Sequence, residues 1–173
     1  MALLHVFGLD GTLLRGSGAA AELARAGGSA RAAAAGAPWI DGVRDVWADI
    51  ARRGDHSAVV TTGPSRFAEL LLGWGVGSVH ATHAPPAAPA SLERRITPAV
   101  KPAIVESLMA ELALGPEHVR VFGGSASDRA LFAAFRATVA VNGVAEVEAL
   151  ARERYRGPDL RTAYLLGRRL SGG

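Results

Sequence analysis

The chain has 173 residues, 49% of them apolar, a formal net charge of +3 and no cysteine. That is enough length for one domain with a real core, and it excludes disulfides and thiolate metal sites. No apolar run approaches the ~20 residues of a membrane span, and the N-terminus lacks the basic-then-apolar pattern of a signal peptide, so a cytoplasmic location is expected.

Leu3 to Phe7 reads as a first strand, apolar enough to be covered on both faces. Residues 16 to 38 are rich in Gly, Ala, Ser and Arg, with weak helical segments near Ala19–Arg25 and Ala30–Ala35. Asp41 is placed as the N-cap of a helix to about Arg53, with Val43, Val46, Trp47 and Ile50 on one face. Ser57 to Gly63 is a second strand. Pro64 then opens a helix whose buried stripe is Phe67, Leu70, Leu71 and Trp74. Ser78 to Ala81 is a short third strand, and residues 82 to 98 form a Pro/Ala-rich loop.

Pro102 starts a helix through Leu114, which Gly115-Pro116 stops. Val119 to Phe122 is a fourth strand, Ser127 to Phe135 a helix with a Ser cap, and Ala137 to Val141 a fifth strand. Helices at about Val144–Arg154 and Asp159–Leu170 complete a C-terminal helical extension over about 144–172. Strand and helix alternate throughout, which predicts one α/β domain over 1–173: a three-layer sandwich around a mainly parallel sheet.

The run Phe7-Gly8-Leu9-Asp10-Gly11-Thr12 closes the first strand, Ala58-Val59-Val60-Thr61-Thr62-Gly63 the second, Lys101-Pro102 opens a helix, and Phe122-Gly123-Gly124-Ser125-Ala126-Ser127-Asp128 follows the fourth strand. In this order the four segments resemble the four motifs of the haloacid dehalogenase (HAD) superfamily of phosphatases, over the stretch from Leu3 to about Leu150. The resemblance implies a Rossmann-like, HAD-like fold. It also implies Mg²⁺-dependent phosphoryl transfer through a nucleophilic aspartate. Two acids of the pattern are missing. Gly8 stands where the nucleophile belongs, and a glycine has no side chain to attack phosphorus. Gly124 stands where the fourth motif has its first aspartate.

What remains defines the candidate site. Asp10 keeps the acid/base position, and Lys101, the chain's only lysine, keeps the position that neutralises phosphoryl charge. Thr61, Thr62, Gly8, Gly124 and Ser125 are the candidate ligand-binding positions. Asp128 is the one remaining metal-ligand position, and Mg²⁺, which needs hard oxygen donors in near-octahedral geometry, is expected to bind weakly or not at all. Restoring both glycines to aspartate is expected to recover Mg²⁺ binding if the scaffold keeps the family's geometry. Asp10, Asp128 and Lys101 sum to −1 without a metal, so an anionic ligand is tolerable. Each acid also has an ordinary structural role available: Asp10 in its turn, Asp128 at its helix start.

Both intervals that carry a cap in this superfamily are short, so the expectation is a nearly capless protein whose 16–38 segment forms at most a small flap. By the resemblance, such members act on larger ligands or let a partner, including a second copy of the chain, close the site. His80 and His83 lack a neighbouring acid or cysteine and are expected to lie in a surface loop rather than on a metal. Arg152, Arg154, Arg156, Arg161, Arg168 and Arg169 alternate with acids and read as a solvated face, not a nucleic-acid surface. Trp39, Trp47 and Trp74 are expected in the core or under the flap. The sequence therefore points to a degenerate HAD-like protein that binds a small anion or a protein partner. Two alternatives stay open: a metal-independent enzyme with Asp10 as general acid/base, and a phosphatase inactivated by substitution.

Overall fold

The structure, a computed structural model, describes residues 1–16, 35–83 and 95–171. Six parallel strands form its sheet: β1 (Leu4–Phe7), β2 (His56–Pro64), β3 (Ser78–Thr82), β4 (Val119–Gly123), β5 (Thr138–Val141) and β6 (Glu153–Tyr155). Their order is β3-β2-β1-β4-β5-β6. The chain leaves β1 toward β2 on one side and returns to β4 on the other. The crevice between β1 and β4, at their C-terminal ends, is thus the switch point where open α/β sheets hold ligands.

The helices are α1 (Val43–Arg52), α2 (Ser65–Ala68), α3 (Lys101–Glu111), α4 (Arg129–Ala134), α5 (Ala145–Glu148) and α6 (Leu160–Arg169). Side chains alternate across the strands and divide the core in two. Phe7, Val59, Phe122 and Val139 join Trp47 and Ile50 of α1, Phe67 of α2 and Tyr164 of α6 on one face. Leu4, Val6, Val60 and Val121 join Val105 and Leu108 of α3, Leu131 of α4 and Val147 of α5 on the other. Phe7 pairs in register with Phe122, their rings stacked at 4.8 Å. The α/β three-layer architecture read from the sequence is the one observed, and its sheet is parallel throughout.

Several details differ from the sequence reading. Asp41 does not cap α1: Gly42 takes that position, with no side-chain cap hydrogen bond. The helix after Pro64 is one α-turn followed by a 3₁₀ segment, Glu69–Trp74, in which Phe67 and Leu71 are buried while Leu70 and Trp74 are only partly so. The C-terminal extension is not wholly helical, because Glu153–Tyr155 forms the edge strand β6 beside β5. His80 lies in β3, half-buried, rather than in a loop. The segments Ala19–Arg25 and Ala30–Ala34, and the middle of the 82–98 loop, fall outside the described residues. No helix among the described residues is long and apolar enough to cross a membrane.

The tail arginines are largely tied to local acids. Arg156 pairs with Glu148, Arg161 with Asp45 and Asp159, and Arg168 with Asp55. Trp47 is fully buried, whereas Trp39 stacks on Phe67 and meets Trp74 edge-on at 4.7 Å in a partly exposed cluster.

At the N-terminal end of the sheet, away from the crevice, His5 of β1 is fully buried beside Asp55 at 3.3 Å. Burial pushes its imidazole down from 6.5 to about 4, against the raising effect of the Asp55 hydrogen bond. The unfolded chain therefore takes up this proton before the folded one does. The stability at stake is intact above pH 6.5 and drains away as pH falls toward 4, by about 3 kcal/mol at most. Urea unfolding across that window should show the loss, and His5→Leu should flatten it. A profile unchanged by that substitution would assign the pH dependence to other groups.

Candidate functional site

The first strand ends at Gly8, whose amide donates to the Phe122 carbonyl at 2.8 Å and so locks the start of the loop against β4. The chain then turns so that Leu9, Leu13 and Leu14 enter the core, with the Leu14 amide on the Leu9 carbonyl. Asp10 sits on this loop, partly buried and bridged to Leu14. Thr12 is 1% exposed, and its Oγ1 has no hydrogen-bond partner.

On the other side of the crevice, β4 ends at Gly123. Ser125 opens a short 3₁₀ turn, Ala126–Asp128, that leads into α4. The turn folds the Asp128 carboxylate back onto its own start. Its Oδ2 accepts from the Gly124 amide at 2.9 Å, the Ser125 amide at 3.1 Å and the Ser125 hydroxyl at 3.3 Å. Its Oδ1 accepts from Lys101 Nζ at 2.7 Å. Lys101 is the first residue of α3 and donates also to Ser127 Oγ at 3.0 Å. Both members of the pair are 1% exposed. Both oxygens of the carboxylate thus accept from donors within the chain, as a buried charge requires.

Both glycines have a packing reason. A Cβ at Gly8 would lie 2.9 and 3.1 Å from the two Asp128 carboxylate oxygens and 3.2 Å from Thr12 Oγ1. The space a side chain would need at Gly8 is filled by Asp128. A Cβ at Gly124 would lie 2.5 Å from the carbonyl oxygens of both Gly11 and Val141. Those are backbone atoms, so the loop after β1 and the end of β5 close on Gly124 in a way only glycine permits.

Thr61 and Thr62 lie further along the same edge of the sheet, at the end of β2. Thr61 is 2% exposed and its Oγ1 accepts from the Gly63 amide at 3.0 Å. The Thr62 carbonyl accepts from Thr82 Oγ1 at 2.9 Å. Among the predicted site residues, Gly8, Gly124, Ser125, Asp128 and Lys101 form one contact network. Neither threonine hydrogen-bonds to Lys101. Thr12, Arg15 and Asn142 also reach the crevice and were not singled out from the sequence. For Thr12, its place in the first motif was the available signal.

A substrate-bound phosphoserine phosphatase superposes with a TM-score of 0.75 at 14% identity, over 94% of this chain and 96% of that one. A HAD family hydrolase, t0658 from Salmonella enterica serovar Typhi, matches at 0.76 and 14% identity, over 96% and 72%. A probable yrbi family phosphatase from Pseudomonas syringae matches at 0.65 and 18% identity, over 96% and 83%. The chain has the haloacid dehalogenase-like fold. Its sequence matches no family model and no curated protein.

Within that fold, the donor set does not suit Mg²⁺. Positions 8 and 124 contribute no oxygen from a side chain. The remaining carboxylate of the fourth motif is already bonded to an ammonium and to two backbone amides. Among the described residues, no group of three His, Asp or Glu side chains is placed to hold a metal. The Asp128 carboxylate and the Lys101 ammonium, the expected metal-ligand and charge-neutralising positions, are held against each other at 2.7 Å. The pair cancels its own charge. Shape and hydrogen bonding at the crevice therefore matter more for a ligand than the charge of its floor.

Proposed function

We propose that this chain is a degenerate HAD-like hydrolase that binds a small ligand at the switch-point crevice and performs no phosphoaspartate chemistry. The observation that carries the reading is the place of Asp128: its carboxylate fills the space in front of Gly8 and is neutralised by Lys101. A covalent route needs an oxygen nucleophile at position 8, with a group to neutralise the charge that develops on phosphorus. Position 8 offers no nucleophile, and the cation is committed to an internal carboxylate. The similarity to phosphatases of the same fold supports descent of the scaffold from hydrolases, and fold alone does not carry the activity with it.

The expected result of a phosphomonoesterase assay with p-nitrophenyl phosphate and Mg²⁺ is a background rate, identical for the protein and for its Asp10→Asn variant. A robust rate abolished by Asp10→Asn would overturn the reading and restore acid–base catalysis at Asp10.

A further inference from the structure

We infer that the ligand site has moved off the phosphoryl position of the fold into the cavity beside it, where Arg15 selects a small organic molecule bearing an oxyanion. This rests on the proposed reading of the crevice as a binding site without phosphoryl transfer. A cavity of about 430 Å³ opens on the β5 and β6 side of the crevice. Thr12, Arg15, Gly124, Ser125, Asn142 and Val144 line it. Lys101, Asp128, Thr61 and Asp10 are not among its lining residues. Its size falls in the range of small-molecule sites and exceeds what a bare inorganic anion needs.

The walls are held in place by the chain itself. The Asn142 side chain grips the loop after β6 from both sides: its Nδ2 donates to the Gly157 carbonyl and its Oδ1 accepts from the Gly157 amide, each at 2.9 Å. The Val144 amide donates to the Gly124 carbonyl at 2.9 Å, which ties the loop after β5 to the end of β4. The Arg15 amide donates to the Pro38 carbonyl at 2.9 Å. A pocket fixed this way loses little entropy when a ligand enters.

Charge supplies the selection. Among the described residues, Arg15 is the one charged side chain on the lining. Among the described residues its acid partner is Asp41, at 3.9 Å with both groups half-exposed or more, a contact of small net value. The guanidinium can turn its planar fork onto a carboxylate or phosphate with little to give up. Carboxylate and phosphate share this chemistry, and the apolar contribution of Val144 and the glycines favours an organic body behind the anion.

The test uses the full chain in metal-free buffer with three probes: phenyl phosphate, benzoate and inorganic phosphate. Binding is followed by calorimetry and by amide shifts in two-dimensional NMR. The expected result is binding of phenyl phosphate, benzoate or both, more tightly than inorganic phosphate, with shifts centred on Gly16, Gly124, Ser125, Asn142 and Gly157. Phenyl phosphate alone assigns a phosphate ligand, and benzoate alone a carboxylate. Arg15→Gln and Val144→Glu, both at exposed positions that leave the core untouched, should each weaken binding about tenfold or more, the first by losing one charged hydrogen bond and the second by setting a like charge against the anion. Arg66→Gln, which removes an exposed charge elsewhere, should not. No binding by any probe, binding indifferent to Arg15→Gln, or shifts centred on Thr61 and Lys101 would overturn the inference. Hydrolysis of phenyl phosphate would count against the non-catalytic reading instead, and the dependence on Arg15 would still decide where the ligand sits.

Discussion

Gly124→Asp is expected to destabilise the fold by about 3 kcal/mol or more and to leave Mg²⁺ unbound. The cost arises before the carboxylate is considered. The first side-chain carbon would stand 2.5 Å from the carbonyl oxygens of Gly11 and Val141, closer than real contacts of that kind. Both oxygens belong to backbone at the ends of β1 and β5, so relief requires those loops to move apart. The move would strain the hydrogen bond from the Val144 amide to the Gly124 carbonyl and the two that hold Asp128 in place. Gly8→Asp meets a different obstacle, since its Cβ would press on the Asp128 carboxylate and bring a second negative charge against it. The double variant Gly8→Asp/Gly124→Asp should therefore be less stable than either single one and still fail to bind Mg²⁺. This reverses the expectation drawn from the motifs, in which the two aspartates simply return to an otherwise intact frame. Urea unfolding for stability and calorimetry for the metal check both halves. A stable double variant that takes up Mg²⁺ would show that the crevice relaxes easily and that the glycines alone remove the metal.

Removing Asp128 should cost more than removing Lys101. Asp128→Ala leaves an ammonium 1% exposed with only the Ser127 hydroxyl for company, and an uncompensated buried charge costs about 3–5 kcal/mol. It also leaves the Gly124 and Ser125 amides without their acceptor at the start of the turn. Lys101→Met, similar in length and apolar, leaves a carboxylate that still accepts from two amides and a hydroxyl. Its expected cost is smaller, about 2 kcal/mol. The double variant Lys101→Met/Asp128→Ala should be no worse than Asp128→Ala alone, because the stranded charge is gone. Urea unfolding of the three variants completes the cycle. Costs of well under about 1 kcal/mol for both single variants would mean that the pair is solvated and does not organise the crevice.

Much of the fold was legible because burial writes directly into strand composition. Leu4–Phe7, Ala58–Val60, Val119–Phe122 and Thr138–Val141 are short, mainly apolar runs, and all are buried on both faces. β6 was not legible. Glu153-Arg154-Tyr155 is an edge strand whose first two side chains are exposed, so its charges read as part of a helix face, and only pairing with β5 makes it a strand. The 3₁₀ stretch after α2 was missed for a related reason. Phe67 and Leu71 keep helical spacing, and the tightened turn beyond them depends on packing against β3.

At the site, the segments that resemble the motifs lie at the C-terminal ends of β1, β2 and β4 and at the start of α3. The linkage of Lys101 to Asp128 could not be read off. The two lie 27 positions apart, and their contact follows from the closure of the crevice around Gly8 and Gly124. The motif order led to an expectation of acids at positions 8 and 124, and a Cβ at either position would stand within 3 Å of atoms already in place. Arg15 and Asn142 carried no motif signal, since one is an ordinary exposed arginine and the other follows β5 in a left-handed conformation set by its grip on Gly157.

The central claim is that no aspartate of this crevice becomes phosphorylated. Intact-protein mass spectrometry after incubation with acetyl phosphate and Mg²⁺, quenched in acid, tests it most directly. The account predicts a single species at the unmodified mass. A phosphoryl adduct that maps to Asp10 or Asp128 would contradict it.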